Sequence, residues 1–342
     1  MVPHFFNEEP YLEQGMKNNL EVKNLSVSFL IRKNWVQAID DVSFSLYQGE
    51  ILGIVGESGC GKSVTSMSIL HLLPETTSRI DHGSALFQGQ DLCTLNNKAM
   101  SKIRGKKIAM IFQDSMTSLN PVVSVGKQLV EAVMLHNSGI DKQKASELSI
   151  NILGKVGIPS PSKRFKEYPH QLSGGMRQRV MIAMSLIQNP DILIADEPTT
   201  SLDVTIQAQI LELLRNLGKE RDVSVMLITH DMGVVAEMAD RVLVMYAGNV
   251  MEVADVKSIF KNPLHPYTQG LLASIPRPDV DVKSLFTIEG NVPTLTNMPK
   301  GCRFCSRCKK ATKRCEEQKP PLFTFQGHQV RCWLYENSKE DN

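Results

Sequence analysis

One run of eight residues limits what this 342-residue chain can fold into more than its composition does. Gly56-Glu57-Ser58-Gly59-Cys60-Gly61-Lys62-Ser63 matches the pattern G-x-x-x-x-G-K-[ST], follows the apolar stretch Ile51 to Val55, and opens a helical pattern reaching about Leu73. Strand, glycine-rich turn and helix in that order make a cradle for phosphate. The glycines let successive backbone N–H groups turn inward on phosphate oxygens, and the helix N-terminus adds its dipole. Lys62 then reaches the β- and γ-phosphates while the Ser63 hydroxyl ligates Mg²⁺. Cys60 reads as a small wall residue rather than a reactive thiol.

Around that loop the chain reads as α/β. Short unbroken apolar runs at Ile51 to Val55, Ile108 to Phe112, Ile192 to Ala195, Val223 to Ile228 and Val242 to Tyr246 suit strands of a mostly parallel sheet buried on both faces. Ile206, Ile210, Leu213, Leu214 and Leu217 keep to one helical stripe. From Leu20 to about Phe44 the pattern alternates instead, through Leu25, Val27, Phe29, Val42 and Phe44, which predicts an N-terminal antiparallel β layer with one wet face. Ser124 to about Tyr168 shows helical pattern without a strand; with its lead-in it reads as a helical insertion of about residues 114–170. After about Ile259, prolines punctuate short segments that end in a cysteine cluster. The expected division is an arm at 1–19, an α/β domain at 20–258 and an extension at 259–342.

Composition removes other classes. With 42% hydrophobic and 22% charged residues the chain is neither disordered nor fibrous. No apolar run approaches the ~20 residues of a membrane span. Met1 to Leu20 lacks a secretory pattern, so the expected place is the cytosol. A net charge of +2 leaves no general footprint for nucleic acid, and none is expected as a partner.

Further segments carry chemistry. Ile192-Leu193-Ile194-Ala195-Asp196-Glu197 is an apolar strand ending in two carboxylates. Asp196 suits Mg²⁺ held largely through its water shell, and Glu197 suits a general base that polarises an attacking water. Taken alone, the pair could equally cap a turn at Pro198. Gln171-Leu172-Ser173-Gly174-Gly175-Met176-Arg177-Gln178-Arg179 puts a Ser and two Gly at the start of a helix running to about Gln188. This offers a hydroxyl, bare amides and a dipole to an anion, or simply an N-cap at Ser173. Gln113 closes one strand, Ser201-Leu202-Asp203 follows the carboxylates, and His230 closes another strand.

In this order the set resembles the ATP-binding cassette (ABC) ATPases. The resemblance implies a P-loop NTPase fold of ABC type: a RecA-like core, an N-terminal antiparallel β layer and a helical insertion, here with a C-terminal Cys-rich extension. It implies ATP and Mg²⁺ as cofactors, with Ser63, Gln113 and Asp196 around the metal. Gln113, Asp203 and His230 become the Q-loop, D-loop and switch residues acting beside Glu197. Phe29 is similar in position to the adenine-stacking aromatic, with Trp35 as the second candidate; either ring could instead be packing. Two cassettes are expected to pair head to tail, each ATP lying between one phosphate loop and the other subunit's Ser173-Gly174-Gly175.

Asn262-Pro263-Leu264-His265-Pro266-Tyr267-Thr268-Gln269-Gly270-Leu271-Leu272 looks like the segment that marks the oligopeptide and dipeptide importer ATPases, which extends the resemblance over roughly residues 20–335. It implies an ATP-hydrolysing subunit of a peptide importer on the cytosolic face of the membrane. Such a subunit is carried by two permease subunits, paired with a distinct ATPase paralogue and served indirectly by an external binding protein. A nickel or other small-solute importer, or a soluble non-transport ABC ATPase, is the alternative. For His265 and Tyr267 the residues give no role beyond a Pro-bounded connector that caps a helix.

Five of the seven cysteines, Cys302, Cys305, Cys308, Cys315 and Cys332, lie near the C-terminus, a clustering that reads in the cytosol as metal before disulfide. The C-x2-C-x2-C run resembles part of a bacterial iron–sulfur pattern and does not match paired zinc ribbons, although zinc stays open. The family resemblance implies that Cys302, Cys308, Cys315 and Cys332 ligate a [4Fe-4S] cluster, with Cys305 departing from the pattern.

Overall fold

The computed structural model describes residues 17–113, 118–137, 139–199, 203–275 and 287–337. Ser201 and Leu202, and positions 114–117 at the start of the expected insertion, lie outside them. Twelve strands are assigned among the described residues: β1 Asn18–Ile31, β2 Asn34–Tyr47, β3 Ile51–Val55, β4 Ser78–Phe87, β5 Gln90–Asp91, β6 Ile108–Ile111, β7 Ile192–Asp196, β8 Ser224–Ile228, β9 Arg241–Tyr246, β10 Asn249–Asp255, β11 Phe323–Phe325 and β12 His328–Val330. They divide between two compact units. One comprises Met1–Tyr47, Ile51–Cys93 and Ile228–Asn342; the other comprises Gln48–Glu50 and Thr94–Leu227.

In the first unit, β1 and β2 form the expected antiparallel layer, joined by Arg32 and Lys33, both at positive φ. Leu20, Val22, Leu25 and Val27 are almost fully buried on one strand, although Val22 and Leu25 differ in parity. A register shift between them, with Asn24 at φ 50°, returns the apolar side chains to the same face. The layer continues through β4 and β5 in the order β2-β1-β4-β5. Apolar patterning does not mark β4, because polar cross-strand pairs attach it: Ser26 Oγ lies 3.0 Å from His82 Nε2, and Ser28 Oγ donates to Asp81.

The same unit holds strands in the order β11-β12-β10-β9-β3. β3 and β9 are parallel, as their unbroken apolar runs predict, and every residue of both is buried. β10 and the β11–β12 hairpin are not marked by pattern. Glu252 interrupts the apolar run of β10, yet it is fully buried. Its carboxylate accepts the backbone N–H groups of Leu264 and His265, at 2.8 and 3.0 Å, and meets His328 Nδ1 at 2.7 Å. Burial alone would raise its pKa; these partners hold it below the usual carboxylate value.

In the second unit β7 lies between β8 and β6, with β6 and β7 parallel from Ile108↔Ile192 to Ile111↔Ala195. Helices run Val125–His136, Lys142–Lys155 and Pro161–Arg164, with no described strand between Ser124 and Tyr168, as the helical pattern predicts. Val130, Val133 and Ala145 form their buried seam. The helix Val204–Arg221 buries Ile210 and Leu214 of its predicted stripe, and Leu211 beside them. No described helix is long and apolar enough to cross a bilayer.

Candidate nucleotide site

In the first unit the phosphate loop leaves the buried end of β3 and passes into the helix Lys62–Ile69. Two of its glycines are obligatory. Gly56 sits at φ +150°, and a Cβ there would stand 2.1 Å from the Met245 carbonyl oxygen; Gly61 sits at φ +108°, and a Cβ would meet Ile39 Cδ1 at 2.5 Å. Ser58 and Gly59 form the exposed tip, while Cys60 is fully buried, the wall position expected of it. Burial pushes the Cys60 thiol up, away from thiolate chemistry. Lys62 is 6% exposed and its ammonium donates to the carbonyls of Gly56 (2.7 Å) and Glu57 (3.3 Å), so the cation lies within the loop itself.

The second unit brings Gln113 to Glu197: the amide Nε2 donates to Glu197 Oε2 at 2.9 Å. Asp196 is the buried last residue of β7, 2% exposed. Glu197, one step beyond, stands at φ +46°, in the left-handed region that a non-glycine residue enters at a cost of about 1 kcal/mol or more. That turn separates the two carboxylates, leaving one in the strand's interior and the other half-buried at its mouth. Gln178 fixes the turn by donating to the Pro198 carbonyl at 2.6 Å.

Ser173 is the N-cap of the helix Gly174–Leu186, its hydroxyl accepting from Met176 N at 3.3 Å, with Ser173 and Gly174 exposed and Gly175 half-buried. Asp203 caps the helix Val204–Arg221 in the same way, through Ile206 N at 3.0 Å. The N-cap reading of Ser173 holds. His230 is exposed just after β8, and Asp231 caps the helix that follows. Phe29 is half-buried on β1 opposite Val36. Trp35 is 40% exposed with the Arg79 guanidinium 4.3 Å over its ring, so a cation already takes its face.

The extension supplies contacts that sequence reasoning missed. His265 is the N-cap of the helix Pro266–Ala273: its Nδ1 accepts the Tyr267 N–H at 3.0 Å, and burial depresses its pKa to about 4, keeping the ring neutral. The Tyr267 hydroxyl accepts the Glu57 N–H of the phosphate loop at 2.9 Å. The Tyr267 ring packs with Tyr246 and Phe304 at centroid distances of 4.6 and 5.3 Å. Only His265 before Pro266, a helix-start signal, hinted at any of this.

Cys302, Cys305, Cys308, Cys315 and Cys332 all line one cavity of about 200 Å³. Cys305 therefore shares the wall with the other four rather than standing apart. Burial, with neighbouring thiols adding, pushes Cys302 up to about 12 and Cys332 up to about 11. Among the described residues no three His, Cys, Asp or Glu side chains form a group that could hold a metal ion. Thiols are the soft donors that an iron–sulfur cluster would take.

The family model for the ABC transporter matches residues 39–200, and that for the oligopeptide/dipeptide transporter C-terminal region matches residues 251–315. The dipeptide transport ATP-binding protein DppD of Bacillus subtilis (strain 168) is 53% identical over 326 residues, 95% of this chain and 97% of that protein. The chain belongs to the oligopeptide/dipeptide branch of the ABC transporter family. The oligopeptide transport ATP-binding protein OppD of the same organism is 53% identical over 317 residues, 92% of this chain and 88% of that one. Among solved structures, the dimeric post-hydrolysis state of the ATP-binding cassette MJ0796 bound to ADP and Pi aligns with a TM-score of 0.63 at 26% identity, covering 69% of this chain and 98% of that one. This ABC chain is thus an ATPase with the cassette fold.

Proposed function

We propose that this ABC ATPase powers uptake of peptides across the cytoplasmic membrane. The observation that carries the cargo assignment is the match at residues 251–315, beyond the ATPase segment, to the C-terminal region of oligopeptide/dipeptide transporters. The division is a cassette at 20–258, with an insertion at about 114–170, and an extension at 259–342.

Within the cassette, the loop Gly56 to Ser63 cradles the triphosphate and Lys62 leaves the loop carbonyls for the phosphates. Ser63, Gln113 and Asp196 attend Mg²⁺, and Phe29 meets the adenine. Glu197 takes the proton of the attacking water, positioned by its hydrogen bond from Gln113, with Asp203 and His230 completing the chemistry. Ser173, Gly174 and Gly175 serve a second cassette, a distinct paralogue paired head to tail; the exposure of Ser173 and Gly174 at a helix start supports that reading.

Two permease subunits carry the pair as peripheral subunits, and an external binding protein delivers the peptide. A groove of about 820 Å³, bordered by Lys127, Met134, Leu135, Phe165 and Tyr168, supports docking of a permease helix on the insertion. Leu135 is 75% exposed there. ATP hydrolysis stimulated by peptide in vesicles bearing both permeases tests the assignment; stimulation by nickel and not by peptide would replace it.

Cys302, Cys308, Cys315 and Cys332 would hold a [4Fe-4S] cluster whose contribution is to cross-link the short extension. Iron and sulfide assayed on anaerobically purified protein should fall in each of the four Cys→Ser variants and persist in Cys305→Ser. Loss in Cys305→Ser, or zinc in place of iron, would overturn the ligand set or the metal.

A further inference from the structure

The residue between Cys305 and Cys308 that does most for the rest of the molecule is Arg307. Its side chain is 5% exposed, and each of its nitrogens has a partner. Nε donates to the Glu289 carbonyl at 3.0 Å, and Nη2 donates to the Ile288 carbonyl at 2.9 Å. Nη1 reaches both carboxylate oxygens of Glu57, at 3.0 and 2.9 Å, and the Tyr246 hydroxyl at 3.3 Å. Glu57 is the second residue of the phosphate loop, and its backbone N–H is taken by Tyr267. The extension therefore grips one loop residue twice, once by its amide and once by its charge.

The charge matters more. A loop that receives a triphosphate should carry no unbalanced anion, yet this one has a carboxylate at its second position. A charge-assisted pair with a nearly buried, fully satisfied guanidinium cancels that anion and fixes its direction. We propose that Arg307 is a positioning residue for the nucleotide: it neutralises Glu57 and holds it off the phosphates, so that the loop amides and Lys62 meet ATP without an opposing charge. The inference rests on reading Gly56 to Ser63 as the ATP site, and goes beyond it by making part of that site's affinity a property of the cysteine-bearing extension.

The test is equilibrium binding of MgATP to the full chain, with KM and kcat measured in the assembled transporter. Arg307→Ala should weaken binding and raise KM about ten-fold while kcat changes less than about two-fold. Arg307→Lys, which keeps the charge without the fork, should lie between, and serves if the alanine variant fails to fold. The decisive variant is the double substitution R307A/E57Q. With the carboxylate gone the unmatched charge is gone, so affinity should return to within about three-fold of the parent. Arg314→Ala, which breaks an exposed pair with Glu336 away from the loop, should leave binding unchanged.

Unchanged affinity in both Arg307 variants would overturn the proposal. A double variant as weak as R307A would also overturn it, by showing that the loss comes from loosening the extension. Lys62→Ala separates the two layers. If it binds ATP normally, the reading of the loop has failed and the proposal with it; if it loses ATP while R307A does not, the proposal alone has failed.

Discussion

β3 and β9 are joined by side chains that need only be apolar: Leu52, Ile54, Val55, Val242, Leu243 and Val244 are all at most 1% exposed. The stretch from Gly301 to Trp333 buries two large apolar side chains, Phe304 and Val330, and otherwise depends on arginine. Arg303 donates to the Ala247 carbonyl and to Asp40 at 3.1 Å. Arg331 donates to the carbonyls of Val250, Pro320 and Asp41 and to the Asp41 carboxylate. Arg307 takes Glu57. Burial would raise Asp40 and Asp41, but Lys319 and Arg303 hold Asp40, and Asn24, Arg331 and Lys319 hold Asp41, below the usual carboxylate range.

The two regions differ in tolerance. An apolar strand survives a swap of one aliphatic residue for another, because burial is non-directional. A guanidinium with several fixed acceptors does not, because removing it strands carbonyls and a carboxylate. The extension is short and poor in apolar residues, so directional bonds do for it what area does for the strands.

The sharpest way to break this contrast is Arg331→Ala, which should cost about 3 kcal/mol, a loss visible in urea titrations of the whole chain. An aliphatic swap in β3 such as Ile54→Val should cost only about 1 kcal/mol. Equal costs would erase the distinction.

A smaller effect comes from His265. Its folded pKa of about 4 lies below the ordinary 6.5, so the unfolded chain binds the extra proton between those values. Its contribution is fully present above pH 6.5 and lost as the pH falls toward 4, on the order of 3 kcal/mol in all. Stability should therefore decline from pH 7 to pH 5. His265→Asn, which keeps an N-cap acceptor without titrating, should flatten that slope. Slopes that agree would mean that His265 is not the titrating group.

The same contrast decides what a reader of the sequence can see. The phosphate loop, the carboxylates at the end of β7 and the β1–β2 layer are legible because each is specified by neighbours in the chain: a glycine pattern, an apolar run ending in Asp-Glu, an alternation. Gln113 and Glu197 are each legible from the motif order once the family is recognised, but the hydrogen bond between them, across 84 residues, is not. β4 and β10 are not legible, since Ser26, Ser28 and Glu252 find their partners 12 to 76 residues away. Tyr267 and Arg307 are harder still, acting on Glu57 across 210 and 250 residues. No local pattern encodes a hydrogen bond of that separation.

Glu197 is the proposed base with which this chain hydrolyses ATP to drive peptide uptake. The most direct measurement is ATP turnover, ATP binding and peptide uptake in vesicles carrying the assembled transporter with Glu197→Gln. The substitution keeps the shape and the contact with Gln113 but removes the base. Turnover should fall by ~10²- to 10⁴-fold and uptake should be lost with it, while ATP binding is retained. Near-normal turnover and uptake would contradict that role for Glu197.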